Sequence, residues 1–145
     1  MCGIFSILNN CLKETDIIQC FQQGIQRGPE ESSIKWLPEL KLVVGFHRLA
    51  INGLTASAMQ PMQIDQCILI CNGEIYNSAD LHKKAGVENK TGSDCEIIIH
   101  LYLKYGIEQA LRMLDGVYSF VLLDTTKEEL FVARDLFGVR PLFCL

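Results

Sequence analysis

The sequence predicts an α+β domain of stacked layers, on three observations. Strand-like runs come in adjacent pairs, as antiparallel strands do. Helical segments are grouped between those pairs instead of alternating with single strands. No Gly-x-Gly-x-x-Gly or P-loop follows any of the strands, so neither a doubly wound parallel sheet nor a phosphate cradle is indicated.

The elements follow from local pattern. Residues 2–8 are apolar and β-branched, as a strand requires. "ETDIIQCFQQGIQ" carries Ile17, Ile18, Phe21 and Ile25 at helical spacing, with Thr15 or Asp16 as the cap and Gly28-Pro29 to stop it. "SSIKWL" and "LKLVVGFHRLAI" read as two strands, and residues 52–63 as turns. "CILICN" is a further strand, and "NGEIYN" reads as a turn or hairpin because Asn-Gly tolerates positive φ. Helices are expected near 78–85, over 94–105 with Ser93 or Asp94 as the cap, and over 107–114. "GVYSFVLLD" and "ELFVARD" close the chain as strands. The aromatics Phe5, Trp36, Phe120 and Phe131 alternate as core residues do.

Composition narrows the function classes. At 145 residues the chain has the length of one domain, and its net charge of −4 comes from scattered residues with no basic band. Nucleic acid and anionic membrane surfaces are therefore not expected as partners. No run approaches the roughly 20 apolar residues of a membrane-spanning helix, and no basic flank marks a secretory leader, so a cytoplasmic protein is expected. The seven cysteines are odd in number and contain no Cys-x-x-Cys, and His47, His82 and His100 lack metal-finger spacing. Reduced, mostly buried thiols, satisfied structural histidines and no metal site are expected. Cys67 and Cys71, four apart in a strand, should share a face.

Cys2 stands apart because it directly follows the initiator Met1. It reads either as a small buried thiol near a strand end or as the first residue of a processed chain. In the second case one residue carries both a thiol and a free amine. The α-amino group titrates at about 7.7–8.0, low enough to serve as general base to its own side chain. N-terminal threonine hydrolases use the same arrangement.

"MCGIF", "RGP", "HRLAI", "QPM", "NGEIYN", "TGSDCE", "GVYSF" and "ARDLFGVRPL" run in this order through the whole chain. Singly each is common; together they resemble class II (N-terminal nucleophile) glutamine amidotransferases, and most of all the glutaminase domain of glutamine-hydrolysing asparagine synthetases. The resemblance covers residues 1–145 as one such domain and implies a four-layer αββα sandwich, two antiparallel sheets between helices. It implies that Cys2 attacks the side-chain amide of glutamine, releasing ammonia and leaving a γ-glutamyl thioester. Asn72, through its amide, and Gly73, through its backbone N–H, would form the oxyanion hole. Arg48 would hold the substrate α-carboxylate, Asp94 with Glu74 nearby the α-ammonium, and Leu49, Ile51 and Asn52 would line the pocket. Arg27 and the Arg134–Asp135 pair would be architectural.

The resemblance also implies a partner. Ammonia would pass to a synthetase domain or subunit that makes asparagine from aspartate and ATP, with ATP and magnesium bound there and no cofactor in this chain. Self-association into a homodimer stays open. The family's domains continue past "FGVRPLFCL" with further strands, so a C-terminally truncated sandwich with an open sheet edge is expected. Glu30, Gly53 and Gln26 depart from the family's usual Asp, Asp and His. Two other functions stand beside catalysis for this or another ammonia acceptor: a silent glutamine-binding regulatory module, and a thiol-rich redox or metal module.

Overall fold

The computed structural model describes residues 2–8, 11–51 and 55–145. Asn52, Gly53 and Met1, named above, lie outside them. Strands β1 (Gly3–Leu8), β2 (Glu31–Leu37) and β3 (Leu42–Arg48) form one sheet in the order β1-β3-β2. Strands β4 (Met62–Ile64), β5 (Cys67–Ile75), β6 (Gly116–Asp124) and β7 (Glu129–Arg134) form the second, in chain order. Every pairing is antiparallel. Helices α1 (Glu14–Gln22), α2 (Ser78–Ala85), α3 (Glu96–Tyr105) and α4 (Ile107–Met113) are the α-helices among the described residues. None of these helices is long and apolar enough to cross a membrane.

Alternation along the strands separates two cores. Leu42, Val44 and Phe46 of β3 meet Ile68 and Ile70 of β5 and Val121 and Leu123 of β6, which fills the space between the sheets. The opposite face of β5, with Cys67, Leu69, Cys71 and Ile75, packs under Ile97, Ile98, Leu101 and Tyr102 of α3 together with α2 and α4. On the outer face of the first sheet, Phe21 of α1 stacks on His47 at 4.0 Å between centroids and touches Phe5 at 5.6 Å. A β-carbon at Gly45 would fall 2.5 Å from the Phe21 ring, so the glycine lets α1 lie flat on β3. Helix, sheet, sheet and helices therefore stack in the expected order.

Several local expectations give way to tertiary contacts. Helix α1 ends at Gln22, and Ile25 enters a 3₁₀ turn (Ile25–Arg27) where it is 45% exposed. The break suits Gly28, whose absent side chain allows contact with the His47 and Arg48 backbone; a β-carbon there would lie 2.3 Å from the His47 carbonyl oxygen. The N-cap of α1 is Lys13, without a side-chain cap bond, so neither Thr15 nor Asp16 serves. Strand β3 stops at Arg48 instead of reaching Ile51. Trp36 lies on the edge strand β2, 36% exposed rather than in the core. Cys67 and Cys71 do share the helix-facing side of β5, but of the seven free cysteines Cys11, Cys20 and Cys144 are exposed.

The largest revision concerns "NGEIYN". Asn72 to Ile75 continue β5 and pair with Ser119 to Gly116 of β6, so there is no hairpin. Gly73 is needed for closeness, not for positive φ. Cys71 turns its N–H and C=O away from β6, to Gln60. By alternation, Gly73 opposite Tyr118 is then a non-hydrogen-bonded pair, the kind whose Cα atoms approach to about 4.5 Å. A β-carbon on Gly73 would lie 2.5 Å from the Val117 carbonyl oxygen and 2.6 Å from the Tyr118 Cα.

Asp135 holds the segment after β7. Its carboxylate accepts backbone N–H bonds from Phe137 and Val139 on Oδ1 and from Tyr118 and Arg140 on Oδ2, at 2.9–3.3 Å. Burial by itself would push its pKa up. The Arg140, Val139, Tyr118 and Phe137 donors outweigh burial and hold it below the usual carboxylate range. Its pairing partner in the sequence reading, Arg134, lies alongside Gly138, which turns with φ of 65°.

Two outcomes follow for stability. Gly73→Ala forces the β6 backbone aside and should cost about 1–3 kcal/mol in denaturant unfolding. Asp135→Asn points an amide at donors and should cost about 2–4 kcal/mol. Because the folded pKa of Asp135 is depressed, its contribution is complete above the unfolded value of about 3.9 and fades as pH falls through the folded value. The parent chain should lose stability over that acid window, and Asp135→Asn should show a shallower acid limb in thermal melts at graded pH.

Candidate active site

The two sheets part at one end, and a cleft opens there. Even-numbered residues of β5 face the first sheet: Ile68 and Ile70 lie in the apolar layer, and Asn72 and Glu74 extend the same row into the cleft. From the other sheet, Gly3 pairs with His47, which sets Cys2 beside the end of β3 where Arg48 emerges. Cys2, Arg48, Leu49, Ile51, Asn72, Gly73, Glu74 and Asp94 all line this cleft. The sequence reading had named each of them.

Cys2 is half-buried and held by the backbone of Leu49. The Leu49 N–H donates to Sγ at 3.4 Å, and the thiol can donate to the Leu49 carbonyl at 3.4 Å. Burial pushes the Cys2 thiol pKa up, and the Leu49 N–H pulls it only partly back, so it stays above its ordinary value. Near neutral pH the sulfur therefore carries its proton and needs a base to become nucleophilic.

The facing wall is the edge of β5, beyond the reach of the short strand β4. β4 pairs only as far as Met62 opposite Leu69. The next outward-facing residue, Cys71, is completed by a side chain: its N–H donates to Gln60 Oε1 at 2.5 Å, and its carbonyl accepts from Gln60 Nε2 at 3.2 Å. Gln60 is buried and so mimics one more residue of strand. Two rungs further, the Ile75 N–H donates to Asp94 Oδ2 at 2.6 Å. Asp94 thus spends its carboxylate on β5 and not on capping α3, whose N-cap is Cys95 without a side-chain cap bond. The Ser93 hydroxyl accepts the Cys95 N–H at 3.3 Å just before that helix. Between the two closed rungs, alternation aims the Gly73 N–H out of the same edge, into the cleft.

Charge is arranged around this edge. Arg48 is only 8% exposed; its Nη1 lies 3.4 Å from Glu31 Oε2, and its Nη2 donates to the Thr55 carbonyl at 3.1 Å. Glu30 accepts the Ala50 N–H at 3.1 Å while its own N–H donates to the Arg48 carbonyl, so it ties the segment after Arg48 in place. That is a use for the residue that departs from the family's aspartate. Arg48, Arg140 and the carboxylates Asp94 and Glu74 border a cleft of a kind that suits a zwitterion.

Sequence reasoning missed several lining residues. Gln60 was visible in "QPM", but nothing local says that its amide finishes a strand. Arg140 reaches the cleft because Asp135 holds its backbone. Cys71 and Cys95 also line it; the neighbouring Cys71 thiol and burial hold the Cys95 thiol well above its usual range.

A glutamine amidotransferase domain family matches this chain over residues 1–145. Glutamine-hydrolysing asparagine synthetases from Gallus gallus, Mesocricetus auratus and Homo sapiens are each 40% identical to it over 151 residues, which takes in 99% of this chain and 26% of the relative. The chain therefore spans about a quarter of the length of these relatives. With a family match over the whole chain and a cleft that gathers Cys2, Arg48, Asn72, Gly73, Glu74 and Asp94, the chain belongs to the glutamine amidotransferase domain family.

Proposed function

We propose that this chain is a glutaminase domain that hydrolyses the side-chain amide of glutamine through a thioester on Cys2. The observation that carries the reading is the placement of the Cys2 sulfur across one cleft from the Gly73 N–H and Asn72, with Arg48 and Asp94 on its border. Sulfur attacks the amide carbon, and the carbonyl oxygen takes up negative charge. The Asn72 amide and the Gly73 N–H donate to that oxygen, and preorganised donors of this kind are each worth roughly 10²–10³ in rate. Arg48 offers a planar, two-pronged donor to the α-carboxylate. Asp94 and Glu74 receive the α-ammonium, and Leu49 and Ile51 line the pocket beside them.

The base is the part that the burial of Cys2 makes necessary. A thiol held protonated cannot attack by itself, and the Cys2 α-amine lies on the adjoining carbon once Met1 is removed. That amine takes the thiol proton and returns it to the departing nitrogen, so ammonia leaves and the γ-glutamyl thioester remains. Water then attacks the thioester carbon, releasing glutamate and restoring the thiol. Ammonia passes to a synthetase domain or subunit, with aspartate as the acceptor in the reading favoured by the relatives' names. ATP and magnesium would belong to that synthetase part and not to this cleft. Free cysteines throughout the described residues agree with a reducing, cytoplasmic setting.

The decisive assay is ammonia release by a chain whose mature N-terminus is verified by intact mass. Cys2→Ala should abolish release and leave glutamine binding intact by calorimetry. A glutamine-analogue electrophile should label Cys2 alone; equal labelling of several cysteines would overturn the scheme. Arg48→Ala should raise KM about 10–100-fold, the scale of charged hydrogen bonds, and change kcat much less. A chain that retains Met1 should bind glutamine without turning it over, and its Cys2 should alkylate only as pH rises above the usual thiol range. Processing should move that alkylation profile to lower pH; an unmoved profile would remove the amine from the mechanism.

A further inference from the structure

We propose that His82 of α2 with Glu96 and His100 of α3 forms a site for one divalent transition-metal ion, clipping the two helices together behind the cleft. One donor atom from each of the three lies within 4.8 Å of the other two. The cluster is interior: His82 is 6% exposed, Glu96 0%, and the His100 side chain 15%.

The protonation of His82 is decided by its surroundings. Its Nδ1 lies 2.9 Å from the Ser78 carbonyl, which can only accept, so Nδ1 carries the proton. Nε2 is then a bare lone pair in the protein interior, with no hydrogen-bond partner among the described residues. His47 shows how this chain treats a structural histidine: Ser32 Oγ sits 2.7 Å from its Nδ1, and the Phe21 carbonyl 2.8 Å from its Nε2. The sequence reading expected His82 to be satisfied in the same way, and at Nε2 it is not. A backbone carbonyl that fixes one imidazole nitrogen so that the other is presented to an ion is the usual outer support of a metal-binding histidine.

The neighbours complete a donor set. Glu96 is a buried carboxylate held by the Thr91 and Lys90 N–H groups and the Thr91 hydroxyl. Its Oε1 lies 3.1 Å from His100 Nε2, one helical turn further on. Two imidazoles and one carboxylate form the ligand set of open zinc sites, with the fourth position left to water. Bonds of about 2.0–2.1 Å require donors roughly 3.3 Å apart, so side chains whose donors lie within 4.8 Å must close in by up to about 1.5 Å. His100 would present Nε2 to the ion in place of its bond to Glu96, its ring proton moving to Nδ1. Nothing in this chemistry involves the cleft thiols.

Zinc itself is the probe, titrated into the metal-free chain under reducing conditions, with cobalt as its spectroscopic substitute. The expected result is one ion per chain, a cobalt spectrum lacking the near-ultraviolet thiolate charge-transfer band, and a zinc-dependent rise in thermal stability. His82→Gln and His100→Gln should each weaken binding on the order of tenfold or more, with folding checked by circular dichroism. Cys95→Ser should leave the affinity unchanged. The site is refuted by absence of saturable zinc binding to the unsubstituted chain, by a thiolate band in its cobalt form, or by a zinc affinity indifferent to His82→Gln. None of these readouts depends on glutamine hydrolysis.

Discussion

The outward edge of β5 is the constraint on which the site rests. A strand edge inside a protein cannot leave its N–H and C=O groups unmet, because each unmade bond costs about 1–3 kcal/mol. Here β4 is too short to cover that edge, and side chains take over: Gln60 closes the rung at Cys71, and Asp94 closes the one at Ile75. The N–H between them, that of Gly73, faces the cleft. The same side chains that satisfy the strand therefore frame a single donor at a fixed depth. Electrostatic stabilisation of a developing oxyanion would need that geometry, set before any substrate arrives.

The close approach at Gly73 belongs to the same arrangement. Pairing in a non-hydrogen-bonded register draws β5 and β6 together, and a side chain there would push them apart. Behind this wall, α3 starts directly after Asp94. Glu96, two residues along, gathers the Lys90 and Thr91 N–H groups, while the Ser93 hydroxyl orders the Cys95 N–H. The acidic group of the cleft and the His82–Glu96–His100 cluster thus share one short connection. An ion in that cluster would brace the segment that carries Asp94 without touching the cleft.

The other wall depends on the first sheet. His47 and Arg48 are adjacent in β3 and point to opposite faces, one stacked under Phe21 and the other in the cleft. Gly28 and Glu30 bind the backbone at the end of this strand, which gives the "RGPE" segment its role in positioning Arg48 and Leu49. Leu49 in turn holds the Cys2 sulfur. The Cys2 sulfur is thus placed by a chain of contacts that starts in a loop more than twenty-five residues away in sequence.

Much of this was legible in the chain itself. Period-two and helical patterns located the strands from Cys67 and Gly116 and the helices from Ser78 and Ile107, because burial on one face imposes those periods. The ordered motifs named eight of the residues that gather in the cleft: Cys2, Arg48, Leu49, Ile51, Asn72, Gly73, Glu74 and Asp94. What the sequence could not decide were matters of distance. Asn-Gly favours a turn locally, yet cross-strand pairing with β6 kept it extended. Ser-Asp before an apolar helix favours a cap, yet the unmet Ile75 N–H claimed Asp94. Gln60 shows no local sign of standing in for a strand, and His82 none of a bare nitrogen in the interior. Local pattern determines which elements form and which face is buried; only the folded chain decides which polar groups, far apart in sequence, must satisfy one another, because that depends on what each finds within 3 Å once water is gone.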